Sequence, residues 1–311
     1  MAPTKSTEPR QKLRIAVVQF APKIGQVQEN IAKASKLCSQ LRPHTVDLVC
    51  LPEMAFTGYM FSNSEHISPY LEEPGKGPTS RFCSALAKQL HCHVTAGYPE
   101  RLVTHERRSA ILDDGQVVQQ VGANSAVVFD PQGKCIGNYR KTNLFETDMS
   151  WARPGTGFLT LHLPPPLGTV CLGICMDLNT QPPALWTIED GPYEIADYCV
   201  ERNANVLILL NAWLDSKDQP ENDRDTRTLT YWAARLRPLW AEPEEEFSNA
   251  RHPSLNETKK TTVIICNRTG EENGATFAGT SALYSFRRGS GKPLLLQTHG
   301  RRTEGVGIWV V

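Results

Sequence analysis

A cysteine, a glutamate and a lysine each stand where an apolar, β-forming stretch of the chain turns polar. Residues 169–174 are short and apolar and lead into Cys175, Met176, Asp177 and Asn179, the pattern of a buried strand ending in a loop. In open α/β folds ligands bind at the carboxyl ends of strands. A thiol placed there can act as a nucleophile, and the backbone amides that follow can hold the oxyanion it generates. Glu53 follows residues 46–51 within Pro52-Glu53-Met54-Ala55-Phe56-Thr57-Gly58-Tyr59, among apolar neighbours that would desolvate its carboxylate and raise its pKa. Lys141 closes Tyr139-Arg140-Lys141. A fixed ammonium near a thiol and a carboxylate favours both the thiolate and a developing oxyanion. Singly, each has an ordinary reading: buried cysteine is usually inert, and a loop glutamate or a lysine usually faces water.

The elements that must position these residues follow from the pattern. Residues 13–20 predict a first strand, and residues 28–41 a helix whose Ile31, Ala34, Leu37, Cys38 and Leu41 share a face, stopped by Pro43. Residues 46–51 predict the strand before Glu53. A second amphipathic helix is predicted over 79–90, preceded by Pro78, and a short strand over 94–97. Residues 101–122 read as polar and irregular. Residues 123–129 and 135–139 predict a hairpin turned by Asp130-Pro131-Gln132-Gly133, which delivers Lys141. After Cys175 the pattern gives a helix end at 197–203, a strand over 205–210, a helix over 228–236 and further segments at 263–269 and 277–285. Polar stretches at 215–227 and 241–260 read as loops around that last helix, of a length often seen in lids or in disorder. The expected organisation is a flexible tail over 1–12 and a single domain over 13–311. His91-Cys92-His93 reads as structural, because the middle residue of a strand triplet points away from its neighbours and no second ligand pair has suitable spacing.

Composition narrows the function class. Lys plus Arg and Asp plus Glu both number 33, so the formal net charge is zero, which argues against electrostatic recruitment to nucleic acid or an anionic membrane. Nine irregularly spaced cysteines do not suggest a disulfide framework and point to a reducing compartment. The longest nearly apolar segment, residues 206–214, is interrupted by Asn211 and too short to span a bilayer. The polar start of the chain lacks the apolar core of a signal peptide. A cytoplasmic protein is expected, with a nuclear or mitochondrial pool left open.

Leu51-Pro52-Glu53, Tyr139-Arg140-Lys141 and Gly173-Ile174-Cys175-Met176-Asp177, in that order and each at a predicted strand end, resemble the Glu, Lys and Cys motifs of the nitrilase superfamily of carbon–nitrogen hydrolases. The resemblance covers nearly the whole chain. It implies an α/β fold, a four-layer α-β-β-α sandwich. Within the superfamily the chain resembles the fungal amidases of protein amino-terminal asparagine and glutamine, through residues 173–179, Asn211-Ala212-Trp213-Leu214 and Asn267-Arg268-Thr269-Gly270-Glu271. That implies ammonia release from the side-chain amide of an amino-terminal Asn or Gln of a peptide or protein, in a degradation pathway of the N-degron kind.

The resemblance also implies roles: Glu53 as general base, Cys175 as nucleophile forming a thioester, and Lys141 with the Met176 amide holding the oxyanion. It requires neither metal nor organic cofactor. A second carboxylate near the lysine is expected, with Asp148 preferred over Glu146. Asp177 and Asn179 stand beside the nucleophile as candidate substrate contacts, although Asp177 reads equally as a structural partner of a turn or an arginine. Tyr59 and Trp213 are candidate pocket walls or core residues. Association into a homo-oligomer is left open. Two other readings compete: an amidase of the same superfamily acting on a small free ω-amide or carbamoyl compound, and an inactive binding scaffold. A cysteine protease fits less well, since none of the eight histidines stands in such a context.

Overall fold

A computed structural model describes residues 12–112, 114–242 and 259–311. The expected tail, up to residue 11, and residues 243–258 of the expected second loop lie outside the described residues.

The first half of the chain runs β1 (Arg14–Gln19), α1 (Val27–Cys38), β2 (Leu48–Cys50), the single turn α2 (Ser64–Ile67), α3 (Pro78–Leu90) and β3 (His93–Arg101). It continues through β4 (Arg108–Ile111), β5 (Val117–Gln120), β6 (Gly122–Phe129), β7 (Cys135–Arg140) and the short helix α4 (Glu146–Met149). The second half runs β8 (Leu159–Leu163), β9 (Gly168–Ile174), α5 (Glu194–Glu201), β10 (Val206–Asn211), α6 (Thr226–Arg235) and β11 (Lys260–Asn267). It ends with β12 (Glu271–Glu272), β13 (Ala275–Thr276), β14 (Ala282–Arg287), β15 (Leu294–Thr298) and β16 (Gly305–Val310).

Two six-stranded sheets result, ordered β16-β1-β2-β3-β6-β7 and β15-β14-β11-β10-β9-β8. The middle strands β1, β2 and β3 of one sheet, and β9, β10 and β11 of the other, are parallel. Antiparallel strands flank them.

Alternation along each strand explains the layering, since successive side chains take opposite faces. Ile15 and Val17 of β1 meet Ile174, Ile208, Leu210 and Ile264 between the sheets, whereas Ala16 and Val18 pack outward with Ala34 of α1 and Leu86, Ala87 and Leu90 of α3. In the second sheet Cys171, Leu207, Leu209 and Val263 pack outward with Ile195, Ala196 and Cys199 of α5 and Trp232 and Ala233 of α6. Covered on both faces, the central strands are apolar almost throughout, and every residue of β10 is buried. These four layers form the expected α-β-β-α sandwich.

Some elements differ from the sequence pattern. β3 continues to Arg101 because Tyr98, Pro99 and Glu100 pair with Ser125, Asn124 and Ala123 of β6, even though Pro99 and Glu100 break the apolar run. The stretch expected to be irregular over 101–122 contains the β4–β5 ribbon. The strand expected over 46–51 pairs only over β2, and the one expected from 277 begins at Ala282. Residues 215–225 are tied down rather than open: Arg301 bonds Asp215, and Asp225 accepts bonds from Ser216. Among the described residues no helix is long and apolar enough to cross a membrane, and no group of three or more His, Cys, Asp or Glu is placed to hold a metal ion.

Candidate active site

The carboxyl ends of β2, β7 and β9 bring Glu53, Lys141 and Cys175 together from both sheets. Glu53 lies in a turn stitched to β3: Gly97 N donates to Pro52 O at 3.0 Å, and Ala55 N donates to Gly97 O at 3.0 Å. A Cβ on Gly97 would come within 2.5 Å of Glu53 Cα, so the turn needs a glycine beneath it. Lys141 leaves β7 with its N–H donating to Asn124 O at 2.8 Å. Cys175 is the first residue after β9 and adopts a left-handed backbone (φ 43°), which L-residues other than glycine rarely occupy. Its N–H donates to Asn211 Oδ1 at 3.1 Å. The short 3-10 turn Cys175–Leu178 follows, and the first amides of such a turn find no acceptor within it.

Lys141 Nζ donates to Glu53 Oε1 at 2.7 Å and to Asp148 Oδ2 at 2.6 Å. All three side chains are withdrawn from solvent, and Cys175 is 6% exposed. Glu53 Oε2 accepts from Ala212 N at 2.6 Å, and Asn124 Nδ2 donates to Glu53 Oε1 at 2.7 Å and Asp148 Oδ1 at 2.9 Å. Tyr59 Oη and Phe145 N also donate to Asp148 Oδ2, both at 3.1 Å.

Burial dominates the electrostatics. Loss of solvent pushes the Glu53 carboxyl above its ordinary range, while the Lys141 ammonium opposes that rise and Asp148 adds to it. The Cys175 thiol is pushed well up by burial and by the Glu53 charge, with Lys141 acting the other way. Burial disfavours the charge on Lys141, but Asp148 and Glu53 outweigh it and raise the lysine above its usual value. The resting arrangement therefore favours a neutral thiol beside a charged lysine, and the thiol needs a base to become nucleophilic.

The structure sorts the remaining expected residues. Asp148 is in the cluster, and Glu146, one half-turn earlier on α4, is exposed. Asp177 is not available to substrate: it is fully buried and accepts from Thr142 N, Asn143 N, Ile174 N and Tyr139 Oη, fastening the cysteine turn to the lysine loop. Asn179 Oδ1 is taken up by Tyr231 Oη at 2.8 Å, and its carbonyl by Asn143 Nδ2 at 2.7 Å. Met176 is half-buried on the turn itself. Tyr59 is buried with Lys141 Nζ 5.6 Å from its ring centre, and half-buried Trp213 packs against Tyr231 and Trp232.

Three amides carry structure that the sequence reading did not assign. Asn124 joins the two carboxylates, Asn211 holds the Cys175 amide, and Asn267 Oδ1 accepts from Trp213 N at 2.8 Å. Their signal was an asparagine within or ending an otherwise apolar buried strand, a place where a polar group must find partners.

A four-layer sandwich that gathers glutamate, lysine and cysteine at its strand ends defines a hydrolase of carbon–nitrogen bonds, and the chain belongs to the carbon-nitrogen hydrolase family, whose model matches residues 14–186. Among curated relatives it is 31% identical over 294 residues to the protein N-terminal amidase of Schizosaccharomyces pombe, covering 89% of this chain and 92% of that protein. It is 30% identical over 238 residues to the protein N-terminal amidase of Saccharomyces cerevisiae, covering 68% of this chain and 47% of that longer protein. The fold matches a crystal structure of an N-terminal amidase with a Gln-Gly peptide at TM-score 0.75 and 21% identity, over 96% of this chain and 97% of that one.

Proposed function

We propose that the protein removes the side-chain amide of an amino-terminal Asn or Gln, releasing ammonia and leaving Asp or Glu, with Cys175 as nucleophile. The observation that carries this reading is the Lys141 ammonium held between Glu53 and Asp148 beside a thiol on a left-handed turn. The choice of substrate is supported by the relatives' activity and by the near-full length over which the fission yeast enzyme aligns.

In the proposed cycle Glu53 takes the proton of the Cys175 thiol, and the thiolate attacks the amide carbon. Lys141 and the Met176 amide stabilise the tetrahedral oxyanion. The C–N bond then breaks as Glu53 returns the proton to the leaving nitrogen, giving ammonia and a thioester on Cys175. Water attacks the thioester as Glu53 accepts its proton, the C–S bond breaks, and Glu53 passes that proton to the leaving sulfur, restoring the thiol and its own carboxylate. The product is an amino-terminal acid, and an N-degron role rests on that change from a neutral to a charged side chain.

The test is ammonia release at matched concentration from a short peptide beginning with Asn, the same peptide acetylated at its amino terminus, and free Asn. Turnover of the unblocked peptide alone is expected. Equal or faster turnover of free Asn would replace this reading with that of a small-amide hydrolase.

A further inference from the structure

Lys141 offers one positive charge to two buried carboxylates, and a dry site that crowds two carboxylates normally forces one of them to keep a proton. A protonated Glu53 could not accept the thiol proton. Asn124 is placed to resolve this. It sits on β6, opposite Pro99 of β3, and is fully buried. Its one amide nitrogen donates both hydrogens to carboxylates, at 2.7 Å to Glu53 and 2.9 Å to Asp148, while its backbone carbonyl accepts from Lys141 N at 2.8 Å.

One residue thus bonds both carboxylates through its side chain and the backbone of Lys141 through its carbonyl, and adds no charge of its own. The arrangement has a cost: Asn124 Oδ1 is buried without a hydrogen-bond partner. Turning the amide over would aim that oxygen at two carboxylates, so the two donated bonds fix the orientation and leave the orphan acceptor behind.

We infer that Asn124 is a positioning residue for the proposed reaction: its amide nitrogen holds Glu53 and Asp148 in register around Lys141 and keeps Glu53 an anion ready for the thiol proton. The inference rests on the roles assigned to Glu53 and Cys175 above. The other charged or titratable groups around Glu53 are Cys175 at the end of β9, Tyr59 in the loop after β2, and Arg268 after β11. Changing Asn124 removes neither of the positive groups Lys141 and Arg268, so a shift in the pH profile reports on the lost amide.

The experiment compares wild type with Asn124→Leu, which removes the donor at similar volume, and Asn124→Ser, which can donate to one carboxylate only. Two pH profiles are recorded: kcat/KM on an Asn peptide, and the rate of Cys175 alkylation by iodoacetamide, which needs no substrate. The expected result for Asn124→Leu is a loss of about 100-fold in kcat/KM at neutral pH, with the acid limbs of both profiles moved up by about one pH unit and a smaller move for Asn124→Ser. If no peptide is turned over but the alkylation profile still shifts, the substrate assignment fails and the inference stands. A uniform loss of rate with both acid limbs unmoved, in either variant, would overturn it.

Discussion

Asp148 accepts four hydrogen bonds, from Lys141, Tyr59, Phe145 and Asn124, and this concentration of donors fixes its carboxyl group against the lysine. In the proposed cycle this contact anchors Nζ toward the oxyanion. Asp148→Asn is expected to lower kcat by about 100-fold, because a carboxamide neither balances nor aims the ammonium. Glu146→Gln, on the exposed side of the same turn, should change kcat by less than about twofold; steady-state rates on an Asn peptide check both. At this scale the sequence was legible where a side chain stands at or just beyond a strand end and the family motifs tie it to others, as with Glu53, Lys141 and Cys175. Between Asp148 and Glu146 it preferred Asp148, the one found in the cluster, although a one-turn helix carries too little periodicity to show which residue faces inward. For Asp177 the sequence offered two readings, a substrate contact and a structural partner of a turn, and the structure shows the second. Nearness in sequence to the nucleophile suggested a substrate contact, but four hydrogen bonds use its carboxylate to join two loops.

Among the elements, α3 has a titratable cap. Glu72 accepts from Thr79 N at 2.9 Å and from Thr79 Oγ1 at 2.7 Å, satisfying the open first turn of the helix in place of an N-cap side chain. Burial pushes its carboxyl up to about 7 from an ordinary 4.5, although the Thr79 bonds pull the other way. A carboxyl that holds its proton more tightly in the folded state contributes stability below its unfolded pKa of 4.5 and loses that contribution as pH rises through 7. Glu72→Gln has no such titration. The variant should therefore gain stability relative to wild type between pH 5 and pH 8, by on the order of 2 kcal/mol, read from urea midpoints at each pH; a constant difference across that range would contradict the assignment. The longer helices α1 and α3 and the apolar strand β1 were legible from spacing, while the one-turn helices α2 and α4 were not. β3 was read as four residues and runs to nine because its second half is held by pairing with β6, which no local pattern records.

For the molecule as a whole, the site exists only because two sheets close on each other. Glu53 and Lys141 come from one, Cys175 and the Ala212 amide from the other, and the interior between them is packed by Ile15, Val17, Ile174, Ile208 and Ile264. The sandwich was legible through family motifs rather than through periodicity. Long-range pairings such as β16 beside β1, which join the two ends of the described chain, have no signature in either segment. The central claim is that ammonia release proceeds through Cys175 and no other of the nine cysteines. Its most direct test is acid quenching of the wild type during turnover of a Gln peptide, intact-mass analysis with peptide mapping, and ammonia release by Cys175→Ala under the same conditions. The account predicts an adduct of peptide mass less ammonia mapped to Cys175 and no turnover in the variant; an adduct on another residue, or wild-type ammonia release by Cys175→Ala, would contradict it.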